Sequence, residues 1–260
     1  MPSVERIAVV ANDHADTVGD AVKRVEEVAR AAGVKVVRDG EADLLVVLGG
    51  DGTMLHALRQ SLETGIPVFG INFGRVGFLT AVDAAELESG LARALAGDFV
   101  VVELPTLEAD AGGETHTAVN DCVATSSTLG RMVTVGWSVG GEDLGTLSCD
   151  GVIAATPSGS TAYNLSNGGP VLVWGLDALV VTFIAPHSLH ARPLVVPRSS
   201  DLVVQNRTDD VALTVLADGH PVGTLGAGEH MTIQLGPKRT QLATLPEATF
   251  FTRYRDTFAS

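Results

Sequence analysis

The chain has 260 residues, 45% of them hydrophobic, a mean hydropathy of +0.27 and a formal net charge of −14. That length holds one large domain or two modest ones with an ample core. The acidic balance argues against the basic surface of a nucleic-acid binder, and no apolar run approaches the roughly 18–20 residues that span a bilayer. Cys122 and Cys149 are the two cysteines, which suggests neither a disulfide framework nor a zinc cluster. Met1-Pro2-Ser3-Val4-Glu5-Arg6 runs straight into a strand-like segment without a signal-peptide pattern, so a cytoplasmic location is expected.

Arg6 to Asn12 reads as a first strand, and Asp16 to Ala32 carries apolar residues at helical spacing with Gly33 as its stop. A short strand over Val34 to Val37 and the turn-like Asp39-Gly40 precede a fully apolar run, Leu44 to Leu48. Five apolar residues in a row read as a buried parallel strand. A helix over Met54 to Ser61, a strand over Ile66 to Asn72, a glycine-bearing loop from Phe73 through Arg75 and Val76 to Leu79, and an amphipathic helix over Asp83 to Leu95 follow. Strands alternating with helices imply a parallel sheet wrapped by helices.

Near Gly97-Asp98 the character changes. Strand-like runs cover Phe99–Leu104, Thr115–Thr125, Met132–Val139, Ala178–Ile184, Asp201–Asn206, Val211–Leu216 and His230–Leu235, with helical periodicity only around Ser160–Asn167. This predicts a second, mainly antiparallel β domain. The aromatic stretch Leu242 to Phe258 has the composition to pack back on the first domain.

The buried strand runs into Gly49-Gly50-Asp51-Gly52-Thr53. Glycines permit positive φ and close approach of a ligand to the backbone. Thr53 is placed to cap the next helix, whose amides would face an anion. The loop has no lysine, as a Walker A loop requires, and offers a carboxylate instead. Asp51 can orient or deprotonate an attacking hydroxyl, or help hold Mg²⁺.

Two further stretches carry chemistry. Asn120-Asp121 lies within a β-rich run, where it either contacts a ligand such as an adenine edge or a ribose hydroxyl, or stabilises a turn. Asp150-Gly151 opens an apolar strand that ends in Thr156-Pro157-Ser158-Gly159-Ser160-Thr161-Ala162-Tyr163, followed by Ser166. Such a turn presents amides and hydroxyls to a polyhydroxylated ligand, and Tyr163 can stack on a flat ring. His187 and His190 are read as structural hydrogen-bonders.

These motifs resemble the NAD kinase family from about residue 44 to about residue 220: LGGDGTML, GINFGRVGFL, the Asn-Asp pair, DGVIAATPSGSTAYNLSNGGP, APHSLHARPLVVP and the Asp218-Gly219 turn. The first motif is shared with diacylglycerol-type lipid kinases and distantly with phosphofructokinases. The TPSGSTAY stretch is specific to NAD kinases. The resemblance implies a Rossmann-like amino-terminal domain (1–98, with about 238–260 returning to it) and a β-sandwich-like NAD-binding domain (99–237).

It also implies that Asp51 lies beside the adenosine 2′-hydroxyl of NAD, with Gly52 near it and Phe73 in the pocket wall. Gly49, Gly50 and Thr53 would complete the phosphate loop. Asn120 and Asp121 would contact the adenosine, and Ser158, Thr161, Ala162, Tyr163 and Ser166 would line the site. Asp150 would come from a neighbouring subunit, giving a dimer or tetramer with sites at the subunit interface. Four positions depart from the family pattern: Asp121 stands for the commoner Glu, Ser158 for Thr, and Cys149 and Asn167 for small residues. The reaction implied is Mg²⁺-dependent transfer of the ATP γ-phosphoryl group to NAD, with metal ligands unassigned, and no nucleic acid or membrane involved. A lipid kinase on the same loop is the competing class, and a non-catalytic NAD-binding module is the third.

Overall fold

The computed structural model describes residues 4–11, 18–37, 42–74 and 77–259. Asn12, Asp16, Asp39, Gly40, Arg75 and Val76, which carry strand, helix, turn and loop expectations, lie outside the described residues. The chain forms two compact units, Met1–Glu103 with Thr240–Ser260, and Leu104–Arg239.

The first unit begins with β1 (Arg6–Ala11), α1 (Val18–Ala31), β2 (Lys35–Val37), β3 (Leu44–Gly49), α2 (Asp51–Thr64) and β4 (Val68–Asn72). The short β5 (Val82–Asp83), a 3-10 turn (Ala84–Glu86) and α3 (Leu87–Leu95) follow. β3 is buried at every residue, because it is a central strand of a parallel sheet whose two faces are both covered. β1 pairs with it from Ile7↔Leu44 to Ala11↔Leu48, and β4 pairs with it from Leu45↔Val68 to Gly49↔Asn72. Leu44, Val46 and Leu48 pack with Ile7, Phe69 and Ile71 against Val25 and Ala29 of α1 and Leu87 and Leu91 of α3. Val22, Val25 and Ala29, which carry the apolar spacing of α1, form its core-facing stripe. The helix expected over Asp83 to Leu95 divides into the 3-10 turn and α3.

The second unit takes up the rest of β6 (Val100–Ala111), then β7 (Glu114–Ala118), β8 (Asp121–Ser126), β9 (Val133–Val139), β10 (Glu142–Cys149) and β11 (Gly151–Ala155). After a 3-10 turn (Gly159–Thr161) and the single-turn α4 (Tyr163–Ser166) come β12 (Ala178–Ile184), β13 (Leu194–Pro197), β14 (Leu202–Asn206), β15 (Leu213–Ala217) and β16 (His220–Leu225). β17 (His230–Thr244) and α5 (Phe250–Phe258) end the chain.

One antiparallel sheet has the order β13-β12-β11-β8-β15-β16. Facing it, β10, β9, β14 and the first half of β17 pair antiparallel in that order. Cys122, Ala124, Val152, Leu179 and Val181 from the first sheet share one core with Val133, Val135, Leu202, Val204 and Ile233 from the other. Trp137 and Phe183 meet edge-on within it, centroids 5.2 Å apart. The architecture is a β-sandwich, as the alternation of short strands and turns predicts.

The carboxyl-terminal segment returns to the first unit. Leu242 and Ala243 at the end of β17 pair in parallel with Val68 and Phe69 of β4, and Thr249 caps α5 by accepting the Thr252 amide. Two expectations need correction. The run Thr115–Thr125 is not one strand but breaks at Val119-Asn120 between β7 and β8. The helical stretch Ser160–Asn167 is a 3-10 turn and one α turn, because Asn164 and Gly169 draw the chain back on itself through a 3.0 Å backbone hydrogen bond.

Candidate active site

In the first unit the apolar strand β3 delivers Gly49 and Gly50 to the amino terminus of α2, and Asp51 is the first residue of that helix. Thr53 does not cap it. Gly50 occupies the cap position with φ −99° and ψ −167° and no side-chain hydrogen bond. The helix starts three residues earlier than its hydrophobic pattern suggests. Thr53 instead packs beneath Gly49, where a Cβ would lie 2.4 Å from its Oγ1. Nor do Gly49, Gly50 and Gly52 adopt positive φ. Gly49 is there for close packing, whereas a Cβ at Gly50 or Gly52 would meet no described atom within 4 Å. The space over the loop is open to a ligand.

The Asp51 carboxylate is half-buried and held by two backbone amides: Phe78 donates to Oδ2 at 2.8 Å and Leu79 to Oδ1 at 3.0 Å. Its place in the first turn of α2 also suits a negative charge, since the unpaired helix amides carry partial positive charge. The second loop lies alongside. Phe73 donates its amide to the Gly49 carbonyl at 3.2 Å, and its half-buried ring packs on the core. Thus Gly49, Gly50, Asp51, Gly52, Thr53 and Phe73 are brought together on one unit.

In the second unit the break between β7 and β8 has a visible cause. The Asp218 carboxylate accepts the amides of Val119 at 2.9 Å, Asn120 at 2.7 Å and Asp121 at 3.3 Å. Three N–H groups converge on one carboxylate, and the chain breaks its strand there. Asn120 Oδ1 is buried without a hydrogen-bond partner among the described residues. Such an atom is costly unless a ligand or an ordered water satisfies it. Asp121 is 6% exposed. Burial, and secondarily the charge of Asp218, push its carboxyl up to about 7.

The hydroxyl-rich turn packs directly on this break. Thr156 donates its amide to the Asn120 carbonyl at 2.9 Å and its hydroxyl to the Val119 carbonyl at 2.7 Å. Gly159 permits the approach, since a Cβ there would sit 2.0 Å from the Asn120 oxygen. Ser158 is buried, its hydroxyl donating to Val119 at 3.1 Å and lying 2.9 Å from Thr156 Oγ1. Ser160 and Asn164 are likewise buried and internally bonded; Asn164 donates to the carbonyls of Ser160 and Pro170 and accepts from Thr182. Beyond this buried lattice Thr161 and Ala162 are half-buried, and Tyr163 and Ser166 are exposed. Asp150 is half-buried at the start of β11, and its carbonyl accepts the Ser126 amide and the Thr125 hydroxyl.

The sequence contains the Asp218-Gly219 turn, but nothing local in it shows that Asp218 organises a segment nearly a hundred residues earlier. Its φ of +50° marks the special backbone only once the fold is known. The sequence marks Asn164 only as a member of the Tyr163–Ser166 stretch; its bonds to Ser160, Pro170 and Thr182 exist only in the fold.

The profile described as ATP-NAD kinase N-terminal domain matches residues 9–99, and that described as ATP-NAD kinase C-terminal domain matches residues 119–245. An NAD kinase of Gemmatimonas aurantiaca is 38% identical over 229 residues, covering 86% of this chain and 79% of that protein. One of Heliobacterium modesticaldum is 41% identical over 221 residues, covering 83% and 78%. Among solved structures, an NAD kinase from Archaeoglobus fulgidus in complex with ATP superposes with a TM-score of 0.80 at 29% identity, covering 98% of this chain and 97% of that one. Yeast NADH kinase shares the fold, with a TM-score of 0.84 at 22% identity over 99% of this chain and 88% of that one.

Proposed function

This chain belongs to the NAD kinase family, and we propose that it phosphorylates the adenosine 2′-hydroxyl of NAD with Asp51 as the residue that acts on that hydroxyl. The observation that carries the assignment is the Asp51 carboxylate, fixed by the Phe78 and Leu79 amides beside an unobstructed glycine loop. A ribose hydroxyl is a poor nucleophile until a base orients it or takes its proton. Two amide hydrogen bonds leave further lone pairs on Asp51 for that proton, since a carboxylate accepts about four hydrogen bonds in all.

In the reaction the 2′-oxygen bonds to the γ-phosphorus of ATP as the bond to the β,γ-bridging oxygen breaks. The hydroxyl proton goes to Asp51 and ADP leaves. Gly49, Gly50 and Gly52 would let the phosphates approach the helix terminus, with Thr53 packed beneath the loop and Phe73 beside it. The first unit is the Rossmann-like catalytic domain in this reading, and the second is the NAD-binding domain.

On the second unit, Asn120 and Asp121 would recognise the adenosine. Asn120 Oδ1 has the unmet acceptor capacity, and Asp121 titrates near neutrality and can accept or donate. Tyr163, Thr161, Ala162 and Ser166 would contact the remainder of NAD. Ser158 would act from behind, by holding the Val119 carbonyl. Asp150 would complete the site of a neighbouring subunit in a dimer or tetramer.

Mg²⁺ would arrive on the triphosphate and supply positive charge to its oxygens. Mg²⁺ keeps several waters and binds largely through substrate phosphates, which leaves Asp51 free for the hydroxyl proton; no group of three His, Cys, Asp or Glu suited to a metal occurs among the described residues. No helix among those residues is long and apolar enough to cross a membrane, and we place the enzyme in the cytoplasm.

The deciding experiment offers NAD, NADH and diacylglycerol side by side with ATP and Mg²⁺. NADP formation from NAD is expected. Phosphorylated diacylglycerol with NAD untouched would overturn the reading.

A further inference from the structure

α5 grips the segment that holds Asp51, and it does so with every nitrogen of one guanidinium. Arg253 is 8% exposed. Its Nη1 donates to the Phe78 carbonyl at 3.2 Å and to the Thr80 carbonyl. Its Nη2 donates to Thr244 Oγ1 at 2.7 Å, and its Nε to the Ala248 carbonyl at 3.3 Å. The Phe78 ring is held by the same helix, meeting Phe250 at 5.5 Å edge-on and Phe258 at 6.1 Å.

The two sides of this segment thus have different partners. Its carbonyls at Phe78 and Thr80 face Arg253, while its amides at Phe78 and Leu79 face Asp51. Because a peptide unit is rigid and planar, fixing the Phe78 carbonyl fixes the direction of the Leu79 amide in the same plane, and the Thr80 carbonyl anchors the segment beyond it. Burial lowers the Arg253 pKa to about 10, and the Asp51 charge acts in the opposite sense. The side chain is therefore charged at neutral pH with Asp51 within electrostatic reach. Burying a cation among carbonyls is costly, and a stability role alone is poorly served by it.

We propose that Arg253 is a positioning residue for the phosphoryl transfer: from α5 it orients the Phe78–Thr80 segment, whose amides aim the Asp51 carboxylate at the substrate hydroxyl. This rests on the assignment of Asp51 made above. A side-chain displacement of an ångström at the reacting group can cost on the order of 10²-fold. Arg253→Ala is expected to lower kcat by about 10- to 100-fold, with KM for NAD and ATP nearly unchanged. Arg253→Lys keeps the charge but lacks the fork that spans two carbonyls and a hydroxyl, so it should recover only part of kcat. Guanidinium ion at millimolar concentration should restore activity to the alanine variant and leave the wild type unaffected.

The discriminating measurement is a double-mutant cycle between Arg253→Ala and Asp51→Asn, with melting temperature followed for each protein. If Arg253 acts through Asp51, its replacement should cost little once Asp51→Asn is present. Full additivity, or a loss of stability with kcat per folded molecule unchanged, overturns the proposal. Should Arg253→Ala fail to fold, Arg253→Lys is carried through the same cycle, where non-additivity again supports the proposal and additivity overturns it. If Asp51→Asn itself retains kcat, the catalytic assignment fails and this inference with it. If Asp51→Asn collapses activity while the Arg253 variants do not, only this inference fails.

Discussion

Asp218 and Asp121 are joined by reciprocal backbone contacts: the Asp218 amide donates to the Asp121 carbonyl at 2.9 Å, and the Asp218 carboxylate accepts the Asp121 amide at 3.3 Å. Two carboxylates are thereby held close in a buried setting. Asp218 has three amides to compensate its charge. Asp121 carries the consequence, a carboxyl pushed from 3.8 up to about 7 by burial and by its neighbour.

The pH dependence of stability follows from that shift. The folded protein holds the Asp121 proton more tightly than the unfolded chain does. The contribution of this group is therefore fully present below the unfolded pKa of 3.8 and is lost as pH rises through about 7. Asp121→Asn has no proton to lose. Relative to wild type, its melting temperature should rise between about pH 4 and about pH 7 and level off above that, as thermal denaturation at several pH values will show. A difference between the two proteins that is flat across this window would mean that Asp121 is not titrating there.

Asp51→Asn preserves the size of the side chain but removes the proton acceptor. We expect kcat to fall by roughly 10²–10⁴-fold, the usual range for general-base help. KM for NAD should change much less, because the loss is confined to the transition state. Steady-state kinetics at several Mg²⁺ concentrations separate this from a metal-holding role, in which added Mg²⁺ would recover part of the rate.

Two glycines should respond in opposite ways to the same substitution. Gly159→Ala drives a Cβ to within 2.0 Å of the Asn120 carbonyl oxygen, and the backbone must move. Overpacking of this kind typically costs about 1–3 kcal/mol, readable by urea denaturation, and KM for NAD should rise as Asn120 shifts. Gly52→Ala meets no described atom within 4 Å and lies in the first turn of α2. Stability should hold or improve by up to about 1 kcal/mol through helix propensity, while KM for ATP rises because the methyl group enters the open space over the loop.

If Asp150 completes a neighbour's site, activity per chain should fall on dilution as the assembly dissociates. Light scattering and rate measured over one dilution series test this together. Full activity from a demonstrated monomer would remove Asp150 from the site.

Local chemistry made much of this protein readable from its residues alone. The run Leu44–Gly49 is apolar throughout because it is covered on both faces, and Ala178–Ile184 is a strand at the bounds its pattern predicts. The family, too, was legible, since its motifs are contiguous. Of the strands that went unanticipated, β10, β13 and β16 end the strand order of their sheets, and the two-residue β5 lies off the main path, paired with β4. An edge strand is paired on one side and largely exposed, so its sequence need not alternate apolar and polar residues; β10 carries little apolar character, and β13 is only four residues long and ends in proline. The start of α2 at Asp51 was hidden because a glycine cap without a side-chain bond leaves no sequence mark.

Other features depend on residues far apart in the chain. Asp218 breaks the β7–β8 run across a separation of 98 residues to Asn120, and Arg253 reaches Phe78 across 175. In both cases a buried charge gathers backbone groups that no nearby residue could satisfy. Which groups these are is decided only when the chain has folded, because unpaired amides and carbonyls become costly only once water has been excluded.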